Sequence, residues 1–428
     1  MQTLITLDLG GNRVGDKAVQ HIAGALRTNT TLTTLRLEGN AIDDKGVQHI
    51  ADALRTNTIL GTLHLSWSTI DDEGAQHIAD ALRINTVILI SFPRIYSNQF
   101  LSHLQTLNTL HLYSNRIGGE GAQHIADALR TNTVILISFP EDKTLTTVRL
   151  RWSKIGDKGA QHIADALRMN RTLITLDLEG MEPSAEGVQH IADALRTNTT
   201  LTILHFNWSK IGDKGAQHIA DALRINTTLT IVDLICNGIG AEGAQHIANA
   251  LRTNTTLTSL HLQSNEIGAE GAQHLGEALR TNTTLTTLNL SWNKMGAEGA
   301  AHLADVLRTN TTLTTLHLVC TEIGTEGAEH IADALRTNTT LTTLHLGWSK
   351  IGDKGAQHIA DALRTNTTLS TLNLECNGIG GDGAQHIADA LRINTTLTTL
   401  KLTYNEKDGE IAQRIDEALR MNTGVKMV

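Results

Sequence analysis

A repeat of 28 residues constrains what this chain can fold into. Repeats open at Leu4, Leu32 and Leu60, again at Leu107, and from Leu145 they recur without a break to Leu397, fourteen in all. Such a period is the signature of a solenoid, whose single repeat cannot bury its apolar face until neighbours stack on it. With the opening leucine as position 1, residues 257–284 read LTSLHLQSNEIGAEGAQHLGEALRTNTT. Positions 1, 4 and 6 are apolar, which fits a short half-buried strand, and Asn265 marks the turn that follows. The period then changes: apolar or small residues at 15, 16, 19, 20 and 23 form one helical stripe roughly 100° to 140° wide. Gly at 12 and Asp or Ala at 13 precede the helix. Arg-Thr-Asn at 24–26 closes it, the asparagine suiting the left-handed conformation that ends helices.

Each repeat is thus strand, turn, helix and return. Strands pack about 4.8 Å apart and helices roughly 8 to 10 Å apart, so the stack is expected to curve with its strands inside. The predicted fold is an α/β horseshoe solenoid, with parallel strands on the concave face and helices on the convex face. No linker or shift in composition divides residues 1–428, which read as a single domain. Two inserts, 87–106 and 134–144, interrupt the frame, and both begin VILISFP, placing Phe92 and Phe139 at equivalent points. They read either as loops projecting from the scaffold or as duplicated non-coding sequence that has been translated. Neither end has a polar cap, so the chain also reads as a fragment of a larger protein.

The pattern LxxLxLxxNxIGxxGAxxIAxAL resembles the ribonuclease-inhibitor class of leucine-rich repeat, shared with the recognition ends of NOD-like receptors and with Ran GTPase-activating protein. The resemblance covers nearly the whole chain and implies the same strand-and-helix horseshoe. It is specific for fold and weak for function. The inhibitors that name the class are rich in cysteine and alternate their repeat lengths. This chain keeps one length and has three cysteines, so it is not expected to be such an inhibitor.

Net charge is −9 and no Lys or Arg stripe forms, which gives nucleic-acid binding little electrostatic support. No apolar run approaches the ~18 residues of a membrane span, and the first residues lack the pattern of a secretory signal. A cytoplasmic protein is expected. Cys236, Cys320 and Cys376 sit in repeats far enough apart, at ~10 Å for the nearest pair, that no disulfide is expected. Asn-x-Thr sequons, as at Asn198, Asn226 and Asn254, are read as helix-ending asparagines in preference to glycosylation sites.

Histidine is the most tempting candidate for chemistry. Of twenty copies, thirteen occupy position 18, one per helix on its outer side. Ligands to one metal must lie within about 2.3 Å of it, which one histidine per helix does not achieve, so a solvating ladder is expected and no metal or cofactor. Glycines at 12 and 15 belong to the framework and not to a phosphate loop. The carboxylates at position 14 are spread along the convex side, and no enclosed acid/base pair forms. The chain is not expected to be an enzyme.

Variation concentrates elsewhere. All five tryptophans (Trp67, Trp152, Trp208, Trp292, Trp348) and all three cysteines occupy position 8, which also holds Tyr404. Position 5 changes from repeat to repeat, with His64, Arg149, His205, His261, His317 and His345 among its occupants, and position 7 includes Arg151. Arg and Trp on an exposed surface are the residue types that dominate protein contacts. The five tryptophans, Tyr404, Arg151 and the six named position-5 residues form a candidate strip of thirteen on the concave and ascending-loop surface for a protein partner. The alternative is that Trp merely covers the neighbouring leucine rung in a turn altered by the serine that follows four of the five. The expected function is protein recognition without catalysis, within the resemblance as the sensing part of an innate-immune NOD-like receptor or as a stand-alone repeat protein. The alternative is a GTPase activator of the Ran-regulator type, although that family carries an acidic tail and this chain has none. The sequence leaves the partner and the oligomeric state open.

Overall fold

A computed structural model describes residues 3–87, 107–112, 114–131, 145–153, 155–405 and 426–427. The inserts beyond Val87, with Phe92 and Phe139, and Tyr113 lie outside the described residues. The chain forms two compact units, Met1–Ser209 and Lys210–Val428.

In the first unit the strands are Thr6–Asp8 (β1), Thr34–Arg36 (β2), Thr62–His64 (β3), Thr109–His111 (β4), Thr147–Arg149 (β5), Thr175–Asp177 (β6) and Ile203–His205 (β7). Each pairs in parallel with the next, residue for residue at the same repeat position. The register survives both inserts: Leu63 faces Leu110, and Leu110 faces Val148. In the second unit Ile231–Asp233 (β8), Ser259–His261 (β9), Thr287–Asn289 (β10), Thr315–His317 (β11), Thr343–His345 (β12), Thr371–Asn373 (β13) and Thr399–Lys401 (β14) pair likewise. A helix returns the chain between successive strands, as at Ala241–Leu251 and Gly268–Leu279. These are α/β leucine-rich-repeat solenoids, as the 28-residue period predicts.

The core is the repeat pattern made solid. Leu257, Leu260, Leu262, Ile267, Ala272, Leu275, Ala278 and Leu279 of one repeat are all buried. Position 11 and position 22 thus join the predicted set. Gly271, at position 15, is required by closeness: a Cβ there would lie 2.5 Å from Ile267 Cγ2.

Polar ladders join the repeats. Asn265 donates its Nδ2 to the carbonyls of Leu234 and Leu262 (both 2.9 Å), and its Oδ1 accepts from Asn237 N and Ile239 N in the preceding repeat. The threonines at position 2 form a second ladder, Thr286 Oγ1 donating to Thr258 O at 3.0 Å and Thr314 Oγ1 to Thr286 O at 3.1 Å. Helix starts are capped from the neighbouring repeat: Asp213 Oδ1 accepts from Gly240 N (2.7 Å) and Gly243 N (2.9 Å), and Asp353 does the same for Gly380 and Gly383. This places an anion where the helix dipole favours it.

The position-26 asparagines correct one expectation. No asparagine among the described residues has a positive φ. They end the helix with their side chains: Asn254 is buried, its Oδ1 accepts from Thr256 N (3.0 Å) and Leu257 N (2.8 Å), and its Nδ2 donates to Leu223 O (2.7 Å). A side-chain carbonyl bonding the next two or three amides makes a turn without left-handed backbone. The amide nitrogen that a glycan would need is held inside.

Candidate functional site

The strand sends position 4 into the core, so positions 3 and 5 share the opposite face. The position-5 residues stand in register: Asp8, Arg36, His64, His111, Arg149, Asp177 and His205 in one unit, and Asp233, His261, Asn289, His317, His345, Asn373 and Lys401 in the other. The thirteen predicted site residues are therefore divided. His64, Trp67, Arg149, Arg151, Trp152, His205 and Trp208 belong to the first compact unit. His261, Trp292, His317, His345, Trp348 and Tyr404 belong to the second.

Position 8 follows the strand, and its backbone explains why it stands apart. In all fourteen repeats φ there lies between 51° and 70°. Gly11, Gly39 and Gly180 occupy this left-handed position without penalty, whereas a side chain there costs roughly 1 to 2 kcal/mol. Even so, five repeats place Trp there, with 47 to 63% of each residue exposed. The serine at position 9 does not alter the turn, since Trp348 before Ser349 has φ 57° and Trp292 before Asn293 has φ 62°. It does thin the ladder. Ser349 Oγ has one proton for two carbonyls, Leu318 O at 3.0 Å and Gly347 O at 3.1 Å.

Contacts among these residues run across repeats. Trp152 and Trp208 meet with ring centroids 6.2 Å apart, and the indole of Trp152 lies over Gly180, the position-8 residue between them. His64 and His111 meet with ring centroids 4.1 Å apart and planes tilted by 32°, and His317 and His345 stack at 4.5 Å with only 8° between planes. Burial, the neighbouring His64, and the arginines Arg149, Arg151 and Arg36 push His111 down to about 3. Burial and then His345 and His261 bring His317 to about 4. His64 and His345 are lowered as well, chiefly by burial. His261 Nε2 lies 2.8 Å from Ser259 Oγ and 4.0 Å from Asp233 Oδ1.

Arg151 binds the fully buried Asp177 through Nε and reaches Glu179 at 3.3 Å, while Arg149 Nε stands 3.8 Å from the same Asp177 carboxylate. Sequence reasoning missed Asp177 and Glu179 as partners of this site, and missed Gly180. The signal for the glycine was present, as a small residue between two tryptophans of one column.

The position-18 histidines are mostly half-buried along the helices, His21 being exposed. Among the described residues no group of three or more His, Cys, Asp or Glu is arranged to hold a metal ion. All three cysteines are free; burial pushes the Cys320 thiol up, and Cys376 and Glu322 add to it. No helix among the described residues is long and apolar enough to cross a membrane.

The leucine-rich-repeat family model matches nine segments that together make half of the chain: 1–23, 28–51, 56–79, 103–126, 141–164, 197–220, 226–248, 253–276 and 281–304. A TMOD/LMOD leucine-rich domain model matches residues 319–428. No curated protein sequence matches the chain. Among solved structures, actin-binding site 2 of leiomodin-1 is 26% identical over 36% of this chain and 88% of its own, with a TM-score of 0.31. The yeast complex of Rad7 and Elc1 is 14% identical, covering 88% of this chain and 83% of that one, with a TM-score of 0.48. The repeat frame, its ladders and the matched segments lead to one conclusion: the chain belongs to the leucine-rich-repeat family.

Proposed function

We propose that the position-8 column and the position-5 row beside it bind a protein partner. Leucine-rich-repeat families are protein-binding scaffolds and are generally not enzymes. The observation that carries the finer reading is the left-handed backbone at position 8. Folding alone favours glycine there, and three repeats have it, but five hold half-exposed tryptophan. A strained position occupied by a large exposed side chain points to a use outside the fold. Tryptophan and arginine are also the residues that most often dominate binding energy. The proposal extends to a sensing role in a cytoplasmic protein of the NOD-like-receptor type, supported by the repeat consensus and by three free thiols.

The test is recovery of partners by the full chain and by a variant carrying Trp152→Asn, Trp208→Asn and Trp348→Asn. Asparagine tolerates the left-handed region, so the backbone is kept while the indoles are removed. The expected result is loss of the specific partners with unchanged helix content. Equal recovery of every partner by the folded variant would overturn the proposal.

A further inference from the structure

Four consecutive strands place Arg36, His64, His111 and Arg149 side by side, each register-paired with the next. Acidic residues border the row on both sides, Asp8 on β1 and Asp177 on β6. Arg151 is committed to Asp177 and Glu179. Among the described residues Arg36 is exposed with no ion pair, and the buried Nε of Arg149, 3.8 Å from the Asp177 carboxylate, has no hydrogen-bond acceptor. The row is about 14 Å long at ~4.8 Å per strand, which spans four to six residues of an extended segment. It is too short for the basic track along which a nucleic-acid backbone is held.

We propose that this row receives an acidic segment of the partner protein, and that His64 and His111 each take up a proton from solvent as it docks. The inference rests on the partner-binding reading of the strand face. The two imidazoles, tilted by 32° with ring centroids 4.1 Å apart between two arginines, cannot both be charged without an anion over them. Around them stand Asp8 and Glu38, which favour the charged form, and Arg36, Arg149 and Arg151, which oppose it. Burial and the arginines prevail in the free protein, leaving both rings neutral near pH 7. Carboxylates laid across the row reverse that balance, and each unit by which a histidine is raised tightens acid-side binding up to about tenfold.

The experiment is titration of the full chain with an octaglutamate peptide, between pH 7.5 and 5.5 and in two buffers of different ionisation enthalpy. The expected result is at least about tenfold tighter binding at pH 5.5, with net proton uptake and weakening by salt. Arg36→Gln with Arg149→Gln loses about tenfold or more, while His64→Gln with His111→Gln abolishes the net proton uptake and the gain in affinity between pH 7.5 and 5.5. Absent binding, binding indifferent to the two arginines, or binding without proton uptake would each overturn the inference. So would tighter, equally arginine-dependent binding of a single-stranded oligonucleotide. If octaglutamate fails while tryptophan-dependent partner recovery persists, the acidic chemistry is wrong and the proposed function stands.

Discussion

The indole of Trp152 lies over Gly180 and meets that of Trp208, ring centroids 6.2 Å apart and planes tilted by 43°. The pair is within the range of favourable aromatic contact, worth about 1 kcal/mol beyond the area it covers. It exists because the intervening repeat has no side chain at position 8. A Cβ on Gly180 would sit 2.6 Å from Trp152 Cε3. One glycine therefore decides whether two tryptophans act singly or together.

Gly180→Ala is expected to destabilise the first compact unit by about 2 to 3 kcal/mol and to change tryptophan fluorescence as the indole is displaced. Gly11 is the matched control. It occupies the same repeat position at φ 70°, close to the 69° of Gly180, but nothing lies within 4 Å of its Cβ site. Gly11→Ala should cost only the backbone strain, about 1 kcal/mol. Urea unfolding of the two variants separates the terms, and equal losses would mean that the indole moves aside freely.

Asn254→Ala is expected to cost about 3 kcal/mol. Its buried side chain serves Thr256 N, Leu257 N, Leu223 O and Asn226 O, and removing it takes a partner from four backbone groups. The same bonds imply that the folded protein is a poor glycan acceptor at its sequons. Oligosaccharyltransferase should modify the unfolded chain at Asn254 and leave the folded chain unmodified, as read by mass spectrometry.

The strand leucines and the helix stripe were legible in the sequence because one period fixes their faces, and the buried Leu257, Leu260 and Leu275 follow it. The conformation of position 8 was harder to see. Trp, Cys and Ser give no hint of left-handed backbone, although Gly11, Gly39 and Gly180 in the same column carried the clue. At Asn254 the sequence points to left-handed backbone where the structure uses a side-chain turn, since asparagine both tolerates left-handed backbone and bonds amides with its own carbonyl. The link from Arg151 to Asp177 joins residues 26 apart in sequence, and only the exact strand register reveals it.

Acid should weaken both compact units before their carboxylates titrate. His111 is held near 3 and His317 near 4, against the ordinary value of 6.5, so below pH 6.5 the unfolded chain binds more protons than the folded one. The stability is complete above pH 6.5 and is lost as pH falls toward the folded values. Between pH 6.5 and 5 each histidine is expected to contribute about 1 kcal/mol of this loss, allowing for screening by solvent. Urea midpoints measured from pH 7.5 to 5 check this. His317→Gln should flatten the slope for the second unit, and an unchanged slope would show that its ring is free to charge.

Trp348 gives the sharpest separation of folding from binding. At φ 57° and 55% exposed, it sits where glycine is the relaxed choice and a β-branched residue the worst. Trp348→Gly should leave the unfolding free energy within about 1 kcal/mol of the parent, relief of strain offsetting the greater freedom of the unfolded chain. Trp348→Val should lose about 1 to 2 kcal/mol, because its branched Cβ crowds the left-handed backbone. Partner affinity is expected to fall by at least tenfold in both, whatever their stability, as befits a tryptophan at the centre of a contact. If affinity instead follows stability across the two variants, the indole acts through the fold, and the contact lies elsewhere on the strand face.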